Sequence, residues 1–211
     1  MKTRTYAERH ATALELLDAM MAGAVEPNLI AQDLRARHGA LGSFAIDVVL
    51  GDVWARPELS RRDRSLIVLA VLGTIGSTEE ISIHTQIGLN NGLTRDEIEE
   101  ILLHIAAYAG YPMAMQASRV IAARFCLIDG VDQLPERAGG ETLDDDERRR
   151  RAGDVRRTLT VGRAKADPEE DMTALIWHLG EVGRIAFQWA FGDVWSRPAL
   201  GGRGAMSCPA I

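Results

Sequence analysis

The sequence predicts an all-α fold, and three observations carry that prediction. Aromatic residues make up only 5% of the chain while Ala and Leu are frequent, whereas sheets lean on Val, Ile and aromatics. Apolar residues recur at helical spacing, as Leu14, Leu17 and Met21 do. Capping sequences then mark one helix start after another. With 211 residues, 46% of them hydrophobic, the chain suffices for one large domain, or for one domain with an appendage.

The helices follow in order. The first is expected from Tyr6 to about Met21, the second from about Asn28, just after Pro27, to Arg37, and the third from about Leu41 to Val53. Asp52-Val53-Trp54-Ala55-Arg56-Pro57 ends the third, because proline disfavours helical backbone in the residue before it. Ser60 caps a helix over Arg61–Leu72, with Asp63 three residues on. Ser77-Thr78-Glu79-Glu80 is a capping box for a helix to about Asn90, where Asn91-Gly92 supplies a left-handed C-cap. Thr94-Arg95-Asp96-Glu97 is another box, stapled by Leu93 and Ile98, for a helix to about Tyr108 that stops at Gly110. Pro112 suits the first turn of the next helix, which reaches about Phe125.

Composition changes between Asp129 and Asp146, where Gly130, Pro135, Gly139 and Gly140 precede an acidic run. Helical pattern resumes at Arg148–Arg151 and again over Glu169–Trp195. The arginine run reads as a solvated helix face, given its acidic neighbours. Gly51-Asp52-Val53-Trp54-Ala55-Arg56-Pro57 recurs as Gly192-Asp193-Val194-Trp195-Ser196-Arg197-Pro198, 141 residues on. The same spacing pairs Pro27 with Pro168, Leu34 with Leu175, Gly42 with Gly183, Ala45 with Ala186, Leu59 with Leu200 and Arg62 with Arg203, and from Gly204 it stops. The expected organisation is a helical domain over residues 1–128, a linker over 129–146, and over 147–211 a truncated second copy of the N-terminal helices. A half-copy is expected to need a partner surface for Ile176, Trp177, Ile185, Phe187, Trp189 and Phe191, on the first domain or on another subunit.

Bulk properties narrow the function. Net charge is -6, so a basic nucleic-acid face is not indicated. The longest apolar run, Leu66–Gly76, is short of the ~20 residues a bilayer span needs. The N-terminus carries no apolar signal segment, so a cytoplasmic location is expected. Two cysteines, Cys126 and Cys208, make neither a disulfide framework nor a thiolate zinc site. The chain lacks GxGxxG, P-loop, HExxH and GxSxG motifs and shows no metal-ligand spacing, so chemistry without cofactor or metal is the class to consider.

The sharpest candidate for that chemistry is Glu80 with His84, four residues apart and therefore on one helix face. A carboxylate beside an imidazole fixes its tautomer and raises its pKa, as a proton donor near neutrality requires, and the nearby helix N-terminus favours an anion. Against this stands a structural reading, since Glu80 also satisfies a capping box and a lone helical histidine commonly serves packing. Arg56, Arg61, Arg62 and Arg64 gather near Trp54 and could hold carboxylates through their planar donor forks, or simply form a solvated helix start. Tyr108 and Tyr111 flank Gly110 and could reach a pocket or fill core.

These motifs, in this order, resemble the carboxymuconolactone decarboxylase family. The likeness runs from Gly51–Pro57 through Arg61–Ile67, Glu79–His84, Asn90–Thr94 and Glu97–Leu103 to Tyr108-Ala109-Gly110-Tyr111-Pro112, roughly residues 40 to 125. It implies an all-α, alkylhydroperoxidase D-like (AhpD-like) domain, here with a C-terminal helical half-repeat, and assembly into a homo-oligomer, a trimer or hexamer. The peroxidase-linked branch of that superfamily carries Glu, Cys-x-x-Cys and His at slots occupied here by Ser65, Ser77, Glu80 and His84. Without those thiols no disulfide can cycle, and the pattern is that of the decarboxylase branch. The resemblance implies a lyase of aromatic catabolism that needs no cofactor and acts on a small-molecule carboxylated substrate, a lactone or related enolisable ring. His84 would be hydrogen-bond donor or general acid and Glu80 its orienter. Arg64 would anchor a carboxylate, and Trp54 and Tyr108 would line the substrate. The competing expectations are a non-catalytic scaffold or binding module that keeps the fold, and a natural-product tailoring enzyme acting on another ring. A redox reading would instead require Cys126 and Cys208 to pair.

Overall fold

The computed structural model describes residues 4–136, 139–160 and 162–200. Among them the secondary structure is helical, without a strand. In chain order it comprises α1 (Tyr6–Met21), α2 (Pro27–His38), α3 (Ala40–Phe44), a π-helical segment (Ala45–Trp54), α4 (Arg61–Ile75), α5 (Thr78–Asn90), α6 (Arg95–Tyr108), α7 (Tyr111–Asp129), α8 (Asp145–Leu159), α9 (Pro168–Leu179), α10 (Glu181–Ile185) and a second π-helical segment (Ala186–Val194). Two compact units result. One is the chain up to Leu72 together with Glu79–Ile98, the other Gly73–Thr78 together with the chain from Glu99 onward.

Local signals set the helix starts. Ser60 Oγ accepts from the Asp63 amide at 3.0 Å. At the head of α6 the Glu97 amide donates to Thr94 Oγ1 (3.2 Å) while the Thr94 amide donates to the Glu97 carboxylate (2.8 Å), a complete capping box. Leu93 and Ile98 beside it are buried. Gly92 takes φ +96° after α5, the conformation that ends a helix without a Cβ penalty. Several ends move outward from expectation: α4 continues to Ile75, α7 to Asp129, and α8 spans Asp145–Leu159 where only Arg148–Arg151 had a clear pattern.

The expected α-helix over Leu41–Val53 is corrected by the structure: from Ala45 the backbone widens into a π-helix. The second π-helical segment lies where the same residue pattern recurs. A close backbone approach accompanies each. A Cβ on Gly51 would stand 2.7 Å from the Arg9 carbonyl oxygen on α1, and one on Gly192 would fall inside contact distance of the Arg148 carbonyl on α8. Each glycine therefore admits the helix that crosses over it.

Both blocks build a small core in the same way. In the first, Ala13, Leu17, Ala31 and Ile46 are buried together, with Leu14, Ile30, Leu34 and Leu50 around them. In the last, Ala152, Met172 and Phe187 are buried together, with Leu175, Ile176 and Phe191 around them. The C-terminal block thus buries Phe187 within itself through α8, and does not need an outside surface for that residue; Trp177, Ile185 and Trp189 remain exposed. One exchange puts charge into the second core. Where α1 carries Leu17 and α2 carries Ile30, α8 carries Arg156 and α9 carries Asp171. Arg156 donates to both carboxylate oxygens of Asp171, at 2.7 and 3.2 Å, as a buried ion pair. Its guanidinium also lies over the Phe191 and Phe187 rings. The arginine run of α8 meets its own acidic neighbours: Arg150 and Arg151 both engage Glu147, pulling its carboxyl down to about 2, and Arg151 also engages Glu141. Arg203 and the sequence from Gly204 lie outside the described residues.

Candidate active site

The site is built on α4 and α5, which the Gly76 turn joins. Gly76 takes φ +74°, and a side chain there would press on Met113. At the far end of this helix pair Asn91 Nδ2 donates to Ser65 Oγ at 2.9 Å, with Ser65 wholly buried. Nearer the turn Gly88 meets Leu69 so closely that a Cβ would stand 3.3 Å from its methyl. His84 follows Ser65's partner by seven residues back along α5, about 10 Å at 1.5 Å per residue, and His84, Gly88 and Asn91 share one helix face.

Glu80 and His84 come together as the spacing requires, with Nε2 of the imidazole 3.9 Å from a Glu80 carboxylate oxygen. That is an electrostatic contact and not a hydrogen bond. The two groups differ in exposure: the Glu80 side chain is 54% exposed, the His84 side chain 23%. Nδ1 of His84 is buried and has no hydrogen-bond partner. Burial holds the imidazole below its ordinary pKa, and the Glu80 charge partly offsets that.

The remaining candidates have other neighbours. Arg64 donates through a terminal nitrogen to the Arg56 carbonyl at 2.8 Å, while its Nε is buried without a partner. Trp54 is buried with Met20 and Ile87. It also lines a hollow of about 310 Å³ with Thr12, Glu15, Leu16, Arg56 and Arg61. Arg56 is engaged by Glu58 through two hydrogen bonds. In the other unit the Tyr108 hydroxyl accepts from Trp195 Nε1 at 2.6 Å, and the Tyr108 ring is 63% exposed. Trp195 stands edge-on to His104, whose proton affinity burial lowers, and Arg197 donates to both oxygens of buried Glu100, at 2.9 and 3.0 Å. The second Gly-Asp-Val-Trp-Ser-Arg-Pro run is thus fastened along one α6 stripe, Glu100–His104–Tyr108, whereas the first buries its tryptophan among aliphatic side chains.

Sequence reasoning missed two features of the site. Asn91 was visible only as a helix terminator, yet its side chain ties α5 to Ser65. The α6 stripe was visible as three polar residues at steps of four, a signal that did not reveal its partner. Among the described residues no helix is long and apolar enough to cross a membrane, and no three His, Cys, Asp or Glu side chains gather as a metal-holding group. Cys126 is a half-buried free thiol, and Cys208 lies outside the described residues.

The arrangement is an all-α one that places a carboxylate and a half-buried imidazole one turn apart, with no thiol pair at the preceding slots. Residues 40–123 match the family model described as Carboxymuconolactone decarboxylase family. Two curated relatives align with the chain. A 4-carboxymuconolactone decarboxylase of Acinetobacter baylyi is 45% identical over 67 residues, 32% of this chain and 50% of the relative. A nitrosuccinic acid decarboxylase of Metarhizium robertsii is 39% identical over 83 residues, 39% of this chain and 57% of the relative. The chain therefore spans about half the length of the curated relatives it matches.

Proposed function

We propose that the chain is a carboxy-lyase that needs no cofactor and acts on a small carboxylated substrate, working as a homo-oligomer, a trimer or hexamer. The observation that carries this reading is the His84 imidazole, half-buried beside Glu80 with Nδ1 unpaired. Two relatives named for different acids support it, because the acids share a logic. Each holds a carboxylate whose bonding electrons can pass, as CO2 leaves, into a neighbouring electron-withdrawing group, a lactone in one and a nitro group in the other. The reaction then needs one proton on a carbon of the resulting delocalised carbanion, the carbon that lost CO2 in the nitro acid and the carbon beside the carbonyl in the lactone.

His84 supplies that proton as imidazolium and recovers it from water between turnovers. Glu80 favours the charged ring. Bound anionic substrate acts in the same direction, so the ring gains a proton when there is something to protonate. Arg64 offers its unpaired Nε to a substrate carboxylate, and Trp54 supplies an apolar wall. Tyr108, whose hydroxyl already accepts from Trp195, is assigned no step. We also propose that residues 147–211 are a truncated copy of the N-terminal helices, a reading supported by the matched cores around Ile46 and Phe187.

The test is CO2 release by the purified chain from 4-carboxymuconolactone and from nitrosuccinic acid. Turnover of either is expected, and His84→Ala should lower kcat by about 10²-fold or more with its helical circular dichroism unchanged. A His84→Ala protein as fast as wild type would remove the imidazole from the mechanism. Release from neither acid would favour the binding-module reading.

A further inference from the structure

The run Gly51–Pro57 and its copy Gly192–Pro198 carry the same tryptophan and arginine into different company. In the second run both side chains are engaged. The Trp195 indole N–H donates to the phenol oxygen of Tyr108 at 2.6 Å, and the Arg197 guanidinium donates to the Glu100 carboxylate at 2.9 and 3.0 Å. The chain thus shows on itself what this run holds: a phenol oxygen and a carboxylate.

In the first run the same two side chains line the hollow of about 310 Å³, a volume at the lower end of small-molecule sites. Trp54, Leu16 and Leu59 are its apolar lining, and Glu15, Arg56 and Arg61 its charged one. Trp54 is only 9% exposed, whereas Glu15 and Arg61 are exposed, so the indole belongs to the floor and the charges to the rim. Among the described residues the Trp54 indole N–H has no acceptor. Glu15 and Arg61 have neither a hydrogen bond nor an ion pair there, not even with each other. Arg56 is taken up by Glu58, a residue the second run lacks, since Ala199 stands at that place. A carboxylate entering the hollow therefore meets Arg61, an ammonium meets Glu15, and an oxygen on an aromatic ring meets the indole N–H. One free charge of each sign at the rim complements a zwitterion better than an anion.

We propose that this hollow binds a free aromatic α-amino acid with an oxygen on its ring, the ring oxygen on Trp54 Nε1, the carboxylate on Arg61 and the ammonium on Glu15. His84, Glu80 and Arg64 do not line the hollow, so binding there is read apart from turnover.

Equilibrium dialysis of the full chain against L-tyrosine tests this. One molecule per chain is expected, with a Kd of about 0.1 mM, ordinary for a ligand of this size. Arg61→Ala should weaken binding about tenfold or more, and Glu15→Gln by a similar factor. Both side chains stand in solvent, so circular dichroism should hold. Tyramine, which lacks the carboxylate, should bind the wild type and Arg61→Ala alike, and 3-(4-hydroxyphenyl)propionate, which lacks the ammonium, should not distinguish Glu15→Gln from the wild type. L-phenylalanine should bind about fivefold more weakly than L-tyrosine, and Trp54→Phe should remove that difference. His84→Ala should bind L-tyrosine as the wild type does. No saturable binding, binding unchanged by Arg61→Ala and Glu15→Gln, or binding lost in His84→Ala would each overturn the proposal.

Discussion

At position 84 two opposing influences set the charge of one imidazole. Desolvation is the larger and keeps the ring neutral, while the Glu80 carboxylate pulls a proton toward it. If His84 is the acid, kcat/KM must fall as pH rises through a value below the ordinary ~6.5 of histidine. The fall in kcat should come at higher pH, because the bound anion adds to Glu80. Glu80→Gln removes one of the two supports and should move both limbs to lower pH, slowing the reaction far more at pH 8 than at pH 5.5. Parallel pH–rate profiles of the two proteins decide it, and superimposable limbs would mean that Glu80 only caps its helix. This pair was legible in the sequence because a step of four on a helix fixes two side chains relative to each other. The unpaired Nδ1 was not, since it depends on what α4 does or does not present to the ring.

At the scale of the element, capping was legible and backbone widening was not. Ser60 with Asp63, and Thr94 with Glu97, act over three residues, and the chain alone decides them. Each π-helical segment coincides with a helix passing close over a glycine, α1 over Gly51 and α8 over Gly192, contacts that a local pattern does not contain. The same limit explains why one repeated motif has two environments: Trp54 meets Met20 and Ile87, while Trp195 meets His104 and Tyr108. The exchange of Leu17 and Ile30 for Arg156 and Asp171 yields a sharp expectation. Asp171→Ala leaves a buried guanidinium unpaired and should cost about 3–5 kcal/mol in urea unfolding. Changing both residues to the first block's pair, Arg156→Leu with Asp171→Ile, should be neutral or stabilising, because an apolar pair of similar volume needs no desolvation.

Across the whole molecule, His84 and His104 share one consequence. Burial lowers the proton affinity of both, so between the ordinary histidine value near 6.5 and the depressed folded values the unfolded chain binds more protons. Stability is therefore fully present above pH ~6.5 and is lost as pH falls through the folded values. Urea midpoints should be flat from pH 8 to 7 and decline from 6.5 toward 5, and a His84→Gln, His104→Gln protein should decline less over that interval. An equal decline would place the loss on other groups. If His84 is the acid, catalysis asks for the charged imidazole that the fold resists, and the working pH is a compromise between the two. The helical class and the order of helices were readable from composition and spacing. The partition into two units, which cuts through α4 and α6, was not, because it reflects contacts between distant segments.

The Arg156–Asp171 pair has one more effect. A chain that holds two similar helical blocks risks joining α1 of one to α9 of the other while it folds. Such a hybrid would bring Leu17 against Asp171 and strand an ionised carboxylate in oil, a penalty the correct partner cancels. If such hybrids form, the charges are an address that sorts each helix to its own block at the moment of collapse. Erasing that address with Leu and Ile should leave the finished protein as firm as before, while more of the refolding chains end in tangled aggregates.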